Sequence, residues 1–355
     1  MPTFARALLI LASIAPACPA LADDDLGDKI DEVMAKYVHD DGPGAVVGVV
    51  KEGRLVYQEA YGLADIEHAT EMTTDRVFDL ASCSKNLTAF AVMLLAEQGK
   101  LSLQADVRTY LPEIPKHDPD RPIQVIDLLH MVSGLADYQG LIDDYDGKTN
   151  EDVVKVVAAA PLEYPTGSKY EYSNTAFNLL ATIVARVSKE SFGEFMREEV
   201  FKPLGMSHSC VLEKEGQKIV GRVYGYKDKD GSWVRDTQDT PGIVGDGTIF
   251  SCVEDLVKYD RALREGTLVS EAMLKRAWTP GETDEGAATK YGFGWGIDDD
   301  GDGGLLVDHN GSWSGTSTYI GRWVDKDYTI IVLFNSYEAS WGDASQGISD
   351  AVEGE

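Results

Sequence analysis

Segments typical of β-strands lie at both ends of this chain, and segments typical of helices fill the middle. Near the N-terminus, residues 45–50 and 55–61 flank a polar turn and predict a β-hairpin. Near the C-terminus, turn residues separate four further predicted strands, over 291–297, 305–308, 316–324 and 328–334. Between the two ends, the spacing of apolar residues predicts helices over 86–99, 150–159, 174–188, 191–200 and 251–264.

This order is most simply satisfied by one antiparallel sheet made from both ends of the chain, with helices packed on it and a mostly helical lobe inserted. The predicted fold class is therefore α/β in the broad, α+β sense. The predicted sheet lobe comprises residues 23–80 and 290–355, and the predicted helical lobe comprises 81–289. A chain of 355 residues is long enough for such a pair of interleaved lobes.

Two of the predicted helices carry the spacing of a capping box at their start. In each, a serine precedes a glutamate by three residues: Ser191 with Glu194, and Ser251 with Glu254. We expect the helices over 191–200 and 251–264 to begin at these serines.

The first 22 residues have the pattern of a secretory signal peptide. A positive charge at Arg6 precedes an apolar stretch that is too short to span a bilayer, and Ala20-Leu21-Ala22 fits a cleavage site. Lipid attachment at Cys18 is the rival interpretation. The sequence therefore predicts a secreted or periplasmic protein, cleaved after Ala22, with no membrane span once the signal is removed.

The charge balance excludes one class of partner. Lys and Arg number 32 and Asp and Glu number 60, which gives a formal net charge of −28. Such a surface repels phosphate backbones, so we expect no nucleic-acid partner.

Cysteine and histidine spacing predicts no metal centre and no cofactor. Cys83, Cys210 and Cys252 remain after signal removal, and no Cys/His pattern suggests zinc. A disulfide between Cys210 and Cys252 is left open. The stretch from Asp298 to Asp302 begins like a calcium loop, but His309 stands where the loop needs glutamate, so an acidic hairpin loop is the favoured interpretation and calcium binding is left open.

The first candidate for chemistry is Ser82 followed by Lys85. Residues three apart lie on one face of a helix, so the two side chains can touch, and the lysine can activate the serine as a nucleophile. The start of a helix also presents free N–H groups that help a developing oxyanion. A serine and a lysine at this spacing are common, so the pair needs support from elsewhere in the chain.

Two further motifs supply that support. Tyr172 and Asn174 lie just before a predicted helix, where a tyrosine can relay protons and an asparagine can orient a substrate amide. His309 and Gly311 lie on a predicted strand, where a glycine lets a substrate approach and the N–H of Ser312 can donate to an oxyanion. Taken singly, each of these residues also has an ordinary structural explanation.

In order and spacing, the three motifs resemble the class C β-lactamase and D,D-peptidase family of penicillin-recognising serine hydrolases, including its esterase members. Segments between the motifs extend the similarity over nearly the whole mature chain: Gly99-Lys100-Leu101-Ser102-Leu103, Leu111-Pro112-Glu113, Ser133-Gly134-Leu135, Pro203-Leu204-Gly205-Met206 and Tyr291-Gly292-Phe293-Gly294-Trp295.

This resemblance implies a β-lactamase/transpeptidase-like fold and a mechanism through an acyl-enzyme on Ser82. It implies that Lys85 and Tyr172 share the proton transfers, that Asn174 orients the substrate, and that the N–H groups of Ser82 and Ser312 bind the oxyanion. The partner it implies is a small acyl substrate: an ester, a D-amino-acid peptide or a β-lactam.

Three positions depart from the family pattern. Met131 stands where the family often has a histidine that braces a loop, and His130 lies one residue earlier. His309 replaces the lysine of many β-lactamases, which removes a fixed cation for a substrate carboxylate and favours neutral esters as substrates. Cys83 follows the nucleophile directly and is best interpreted as a small buried residue.

The sequence disfavours two rival functions. An α/β-hydrolase needs the sequence G-x-S-x-G, and residues 311–315 carry Trp313 at its centre instead of serine. A catalytically silent binding homologue is the other rival, and the presence of all three motifs disfavours it. Among enzymes, D-alanyl-D-alanine carboxypeptidase and β-lactamase activities are the alternatives to an esterase.

Overall fold

The computed structural model describes residues 24–118 and 120–354. The predicted signal peptide, its cleavage after Ala22 and the candidate lipid attachment at Cys18 lie outside these described residues. Within them, every helix is too short or too polar to cross a membrane.

The centre of the molecule is a six-stranded antiparallel sheet made from both ends of the chain. The strands of the molecule, β1 to β13 in chain order, are Ala45–Lys51, Arg54–Tyr61, Leu63–Asp65, Thr70–Glu71, Phe78–Asp79, Cys210–Val211, Tyr226–Lys229, Ser232–Arg235, Ile249–Ser251, Gly296–Asp299, Leu305–Trp313, Thr316–Trp323 and Tyr328–Phe334. The strand order in the central sheet is β10-β11-β12-β13-β1-β2. Strands β12 and β13 are buried along their whole length, which agrees with a sheet covered on both faces.

Helices cover the two faces of this sheet. The helices α1 to α10, in chain order, are Asp24–Met34, Ser84–Glu97, Val125–Leu129, Asn150–Ala159, Asn174–Ser188, Phe192–Phe195, Lys202–Leu204, Val253–Glu265, Glu271–Ala277 and Trp341–Glu353. On one face, α1 and α10 pack together over β12 and β13 through residues such as Ile30 and Ile348. On the other face, α8 packs against β1 and β13 and joins the core of the helical lobe. The predicted fold class is confirmed, whereas the predicted lobe boundaries stay a prediction.

The helical lobe is built around α2 and α5, which contact each other. Every residue of α2 from Ser84 to Leu95 is buried, so this helix forms the centre of the lobe. The observed bounds of α4 and α5 coincide with the predicted helices over 150–159 and 174–188. Their ends are defined by strong local signals, such as the side chain of Ser173, which accepts a hydrogen bond from the N–H of Ala176.

Three predicted elements differ from the structure. The expected capping box at Ser251 is wrong, because Ser251 ends strand β9 and its hydroxyl pairs with Ser209, while α8 begins at Val253. The expected strand over 291–297 is wrong over most of its length. Its first residues form turns around Gly294, which has a φ of +74°, and only residues 296–299 form β10. At 191–200 the α-helix ends at Phe195 and continues as a π-helix, Met196–Phe201.

Candidate active site

Ser82 lies in a tight turn between strand β5 and helix α2. The turn is a short 3₁₀ helix, Ala81–Cys83, and Ala81 has a φ of +46°, which is an uncommon conformation for alanine. One oxygen of Asp79 accepts a hydrogen bond from the N–H of Ala81 at 2.9 Å. The carbonyl of Leu80 accepts from Cys83 N–H at 3.0 Å and from the hydroxyl of Thr318 on β12 at 2.8 Å. These bonds hold the serine in one position.

Lys85 lies one turn further along, and its side chain is fully buried. Its ammonium nitrogen donates to three oxygens: Ser82 Oγ at 3.0 Å, Asn174 Oδ1 at 2.9 Å and the carbonyl of Asp246 at 2.7 Å. An ammonium group has three N–H bonds, so the three acceptors match it. The predicted contact between Ser82 and Lys85 is therefore present.

Asn174 is the first residue of α5, and the cap of that helix is Ser173. The carboxylate of Asp137 accepts from the backbone N–H groups of Asn174 and Thr175, at 2.7 and 3.3 Å, which fixes the start of the helix. Because the Asn174 Oδ1 atom accepts from Lys85, its NH₂ group remains as a donor on the side of the pocket.

Tyr172 lies beside the lysine at the edge of the pocket. Its ring centroid is 5.0 Å from Lys85 Nζ, and 42 % of the residue is exposed. Its hydroxyl makes no hydrogen bond to any described residue, so it is available to a substrate.

Strand β11 brings the third motif against the nucleophile turn. A Cβ atom at Gly311 would collide with the carbonyl oxygen of Leu80 and lie against the backbone nitrogen of Ser82, so this position requires glycine. The next residue, Ser312, lines the pocket together with Ser82. The structure therefore brings together Ser82, Lys85, Tyr172, Asn174, Gly311 and Ser312.

His309 does not line the pocket. Its ring is buried, 6.1 Å from the Tyr172 ring between centroids. The Nδ1 atom donates to the carbonyl of Asn310 at 2.6 Å, so Nε2 accepts from the hydroxyl of Tyr291 at 3.0 Å. Burial and then the nearby Lys85 charge lower the pKa of His309 to about 3, so the ring is neutral at pH 7.

Cys83 is buried beneath the turn, and its thiol donates to the carbonyl of His309 at 3.1 Å. Burial raises the pKa of this thiol to about 12, so it stays protonated at neutral pH. The structure thus agrees with the interpretation of Cys83 as a packing residue.

Met131 stands where the family often has a histidine that braces a loop, and here other contacts hold this loop. Met131 adopts a φ of +55°, its sulfur accepts from Ser173 N–H at 3.4 Å, and its carbonyl accepts from Glu171 N–H. His130 instead approaches the carbonyl of Tyr291 at 3.2 Å. The loop that carries Tyr172 is therefore braced by a methionine.

The pocket above Ser82 has a volume of about 310 Å³. Such a volume suits a small ligand. Aromatic side chains form much of its wall, at Tyr138, Tyr145, Tyr172 and Trp313.

Sequence reasoning missed three polar residues of this pocket, Asp79, Tyr138 and Asp246. Asp246 supplies the third acceptor for Lys85 through its carbonyl, and its carboxylate accepts from the Tyr138 hydroxyl at 2.8 Å. Asp79 precedes the nucleophile by three residues, and Asp246 lies between Gly245, which has a φ of +107°, and Gly247. The proximity of Asp79 to Ser82 and this Gly-Asp-Gly sequence were the available signals.

Two clusters of acidic residues in the described part of the chain could be considered as metal sites. In both clusters, carboxylates already interact with donor groups of the protein. In the loop after β10, Lys326 Nζ lies 2.9 Å from Asp302 and 3.7 Å from Asp300. Around His208, Cys252 and Asp255, the Asp255 carboxylate already accepts from Lys258, Ser209 and the N–H of His208. Cys210 and Cys252 are free thiols, so the disulfide left open above is not formed among the described residues.

Comparison with known proteins agrees with this geometry. A model of the Beta-lactamase family matches residues 28–353. Penicillin-binding protein 4* of Bacillus subtilis is 30 % identical over 319 residues, covering 85 % of this chain and 69 % of that protein. The D-aminopeptidase of Gluconobacter oxydans is 24 % identical over 325 residues, covering 88 % and 59 %.

Among solved structures, the octameric penicillin-binding protein homologue from Pyrococcus abyssi superposes with a TM-score of 0.79 and 28 % identity, over 94 % of this chain and 77 % of that one. The first curated relatives are longer, and this chain spans 59–69 % of their length. The predicted resemblance to the penicillin-recognising serine hydrolases is confirmed: the chain belongs to the Beta-lactamase family.

Proposed function

We propose that this protein is a serine acyl-hydrolase that forms an acyl-enzyme at Ser82 and prefers short esters that lack a carboxylate. The observation that carries the proposal is the hydrogen bond between Lys85 Nζ and Ser82 Oγ, 3.0 Å long, at the base of a pocket that admits a small acyl group. A serine hydroxyl becomes a useful nucleophile when an adjacent group takes its proton.

In the proposed mechanism, Ser82 Oγ attacks the acyl carbon while its proton passes to the Lys85–Tyr172 pair. The backbone N–H groups of Ser82 and Ser312 stabilise the negative oxygen of the tetrahedral intermediate. The pair then protonates the leaving alcohol, and the acyl group stays on Ser82. Water attacks this acyl-enzyme, its proton passes to the same pair, and the acid is released with Ser82 regenerated.

The proposed preference for esters follows from the charges around the pocket. Lysine, arginine and histidine are absent from the described residues that line it. Lys85 is buried behind Ser82, and its three N–H bonds are engaged. His309 is neutral, and its ring does not line the pocket. A substrate carboxylate, as in a cephalosporin or a D-Ala-D-Ala peptide, would find no cation there.

From the predicted signal peptide we also propose that the enzyme is secreted or periplasmic. Mass spectrometry of the mature protein, produced in a bacterial host with the full leader, would test this by showing whether the chain begins at Asp23.

Labelling with a fluorophosphonate, which reacts with activated serines, tests the central proposal. We expect one adduct on the wild type, mapped by peptide mass spectrometry to Ser82, and none on Ser82→Ala. The variant should keep its thermal midpoint, because alanine is tolerated sterically in the turn. An adduct on Ser84 or Cys83 would contradict the assignment, and an unlabelled wild type would favour a silent binding homologue.

A substrate panel then decides among the activities. We expect p-nitrophenyl acetate to give a higher kcat/KM than nitrocefin or a D-Ala-D-Ala peptide. Faster hydrolysis of nitrocefin would establish a β-lactamase, and faster hydrolysis of the peptide would establish a carboxypeptidase.

A further inference from the structure

Among the residues that the structure describes, two carboxylates and no cationic side chain line the pocket next to Ser82. Asp79 and Asp246 are the acidic residues of its wall. A mechanism through Ser82, Lys85 and Tyr172 passes no proton to either carboxylate. Each accepts one structural hydrogen bond, Asp79 from the Ala81 N–H and Asp246 from the Tyr138 hydroxyl, and each also lines the pocket.

Asp246 is more than nine-tenths buried and faces the pocket. Its Oδ2 atom accepts from the Tyr138 hydroxyl at 2.8 Å, while its Oδ1 atom makes no hydrogen bond to any described residue. This oxygen faces the pocket and can accept a hydrogen bond from a ligand that enters it.

Asp79 is partly exposed on the same wall. Its Oδ1 atom accepts from Ala81 N–H, and its Oδ2 atom also has no hydrogen-bond donor among the described residues. Each carboxylate therefore has one oxygen engaged by the protein and one oxygen available to a ligand.

The cations nearest to these two groups are engaged elsewhere. Arg222, whose charge acts on Asp79, forms an ion pair with Asp239 through both terminal nitrogens. Lys85 donates to the carbonyl of Asp246 and to two neutral side-chain oxygens, not to the Asp246 carboxylate. Neither pocket carboxylate is in a direct ion pair within the described part of the chain. Burial raises the pKa of both groups, that of Asp79 to about 6, so a cation bound beside them would favour their ionised forms.

Building on the proposed function, we propose that the pocket selects acyl substrates that carry a protonated amine on the acyl side, with Asp79 and Asp246 as the specificity-determining residues. An ammonium group supplies the donors that Oδ1 of Asp246 and Oδ2 of Asp79 lack, and charge-assisted hydrogen bonds of this kind are stronger than neutral ones. The aromatic rings of Tyr138, Tyr145 and Trp313 add a favourable surface for a cation. The substrates are small amino-acyl esters and amides.

Four methyl esters of one chain length test this selection. The esters of β-alanine and of racemic 2-aminobutyric acid carry an ammonium group, methyl butyrate is neutral, and monomethyl succinate carries a carboxylate. Hydrolysis is followed at pH 7 by titration of the released acid. We expect at least one ammonium ester to exceed methyl butyrate in kcat/KM by roughly tenfold or more, as for one charged contact, and the succinate to fall below it.

Two variants remove the charge and keep the hydrogen bonds. Asp246→Asn retains an acceptor for the Tyr138 hydroxyl, and Asp79→Asn retains one for the Ala81 N–H. We expect each variant to lower the ratio of ammonium-ester to butyrate kcat/KM by roughly threefold or more, because each removes one of two charged contacts. The matched control is Asp143→Asn, in an exposed position of a loop near the pocket, which should leave that ratio unchanged.

Failure of this inference can be told apart from failure of the proposed function. If the wild type hydrolyses methyl butyrate at least as well as both ammonium esters, the inference is wrong, even when Ser82 is labelled by the fluorophosphonate. If Ser82 is not labelled and no ester is hydrolysed, the proposed function itself fails. If the ammonium preference is present but survives both Asp→Asn changes, Asp79 and Asp246 are not its origin.

Discussion

At the scale of single residues, the site depends on which atoms accept hydrogen bonds from the buried Lys85. Lys85 is fully buried, and each of its three hydrogen bonds ends on an uncharged oxygen. These three acceptors fix the direction of the nitrogen, and one of them is Ser82 Oγ. The arrangement therefore keeps the lysine nitrogen within hydrogen-bond distance of the nucleophile.

This view predicts that Lys85 and Tyr172 act as one unit. Lys85→Ala and Tyr172→Phe should each lower the rate of acylation by roughly a hundredfold to ten-thousandfold, the usual range for a lost acid–base group. The double variant should be little worse than the poorer single variant, because groups that act together give non-additive losses. Stopped-flow acylation with a p-nitrophenyl ester measures all three. Losses that multiply would show two independent roles.

The sequence predicted the local part of this site and missed the distant part. The contact of Ser82 with Lys85 follows from helical spacing alone, and Tyr172, Asn174 and Gly311 were found through motif resemblance. The role of Asp246 depends on a bond across 161 residues of sequence, which no periodicity indicates. The orientation of His309, with its ring toward Tyr291 and away from the pocket, is set by tertiary packing and could not be read from its motif.

At the scale of elements, the site is an interface between strand β11 and the nucleophile turn. The strand and the turn approach so closely that the backbone at position 311 leaves no room for a side chain. The turn is also tied to β12 through Thr318 and to β9 through the bond from Leu80 N–H to the carbonyl of Ile249. Elements from the sheet and from the helical lobe thus fix the oxyanion donors relative to Ser82.

Gly311→Ala should therefore harm both stability and acylation. The added methyl group must displace the Leu80 carbonyl or the strand, at a cost of about 1–3 kcal/mol in the free energy of unfolding. It should also slow fluorophosphonate labelling of Ser82, since the turn carries an oxyanion donor. Urea unfolding and labelling rates measure the two effects. The control is Gly342→Ala in helix α10, where no atom lies within 4 Å of the new Cβ and stability should hold or rise. Unchanged labelling in Gly311→Ala would contradict the close packing inferred here.

Element predictions succeeded where local signals decide and failed where packing decides. Helices α4 and α5 have clear caps and apolar faces, and their bounds were predicted. Helix α10 was not predicted, because its sequence is polar and contains two glycines within its span, and only packing on the sheet stabilises it. Residues 291–297 have the composition of a strand, yet Gly294 must turn there because the backbone of Lys85 and Asn86 lies against it.

At the scale of the whole molecule, folding brings the two ends of the chain into one sheet. It also buries ionisable groups that have opposite effects on how the free energy of unfolding depends on pH. Strand β1 pairs with β13, so the pairs join residues almost 300 positions apart. Burial raises the pKa of Asp79 from 3.8 to about 6, so between these values the folded chain binds a proton at Asp79 that the unfolded chain does not bind. The contribution of Asp79 to the free energy of unfolding therefore falls as the pH rises through this window. His309 has the opposite sign, because its pKa is lowered to about 3 from an ordinary value of 6.5.

The last prediction uses this difference to test the buried, neutral state of His309. Between pH 6.5 and about 3 the unfolded chain binds a proton at His309 that the folded chain does not bind, so the free energy of unfolding should fall as the pH is lowered through this window. The slope from one such group is at most about 1.4 kcal/mol per pH unit. His309→Gln cannot titrate but can still accept from the Tyr291 hydroxyl, so its slope between pH 6.5 and 4 should be shallower than that of the wild type.

Urea unfolding in about 1 M NaCl is the measurement, because salt screens the long-range repulsion of a chain with a net charge of −28, which itself varies with pH. Replacement of the exposed His39 by glutamine should leave the wild-type slope intact. Equal slopes in the wild type and His309→Gln would show that His309 is protonated in the folded protein, and the neutral ring behind the pocket would have to be abandoned.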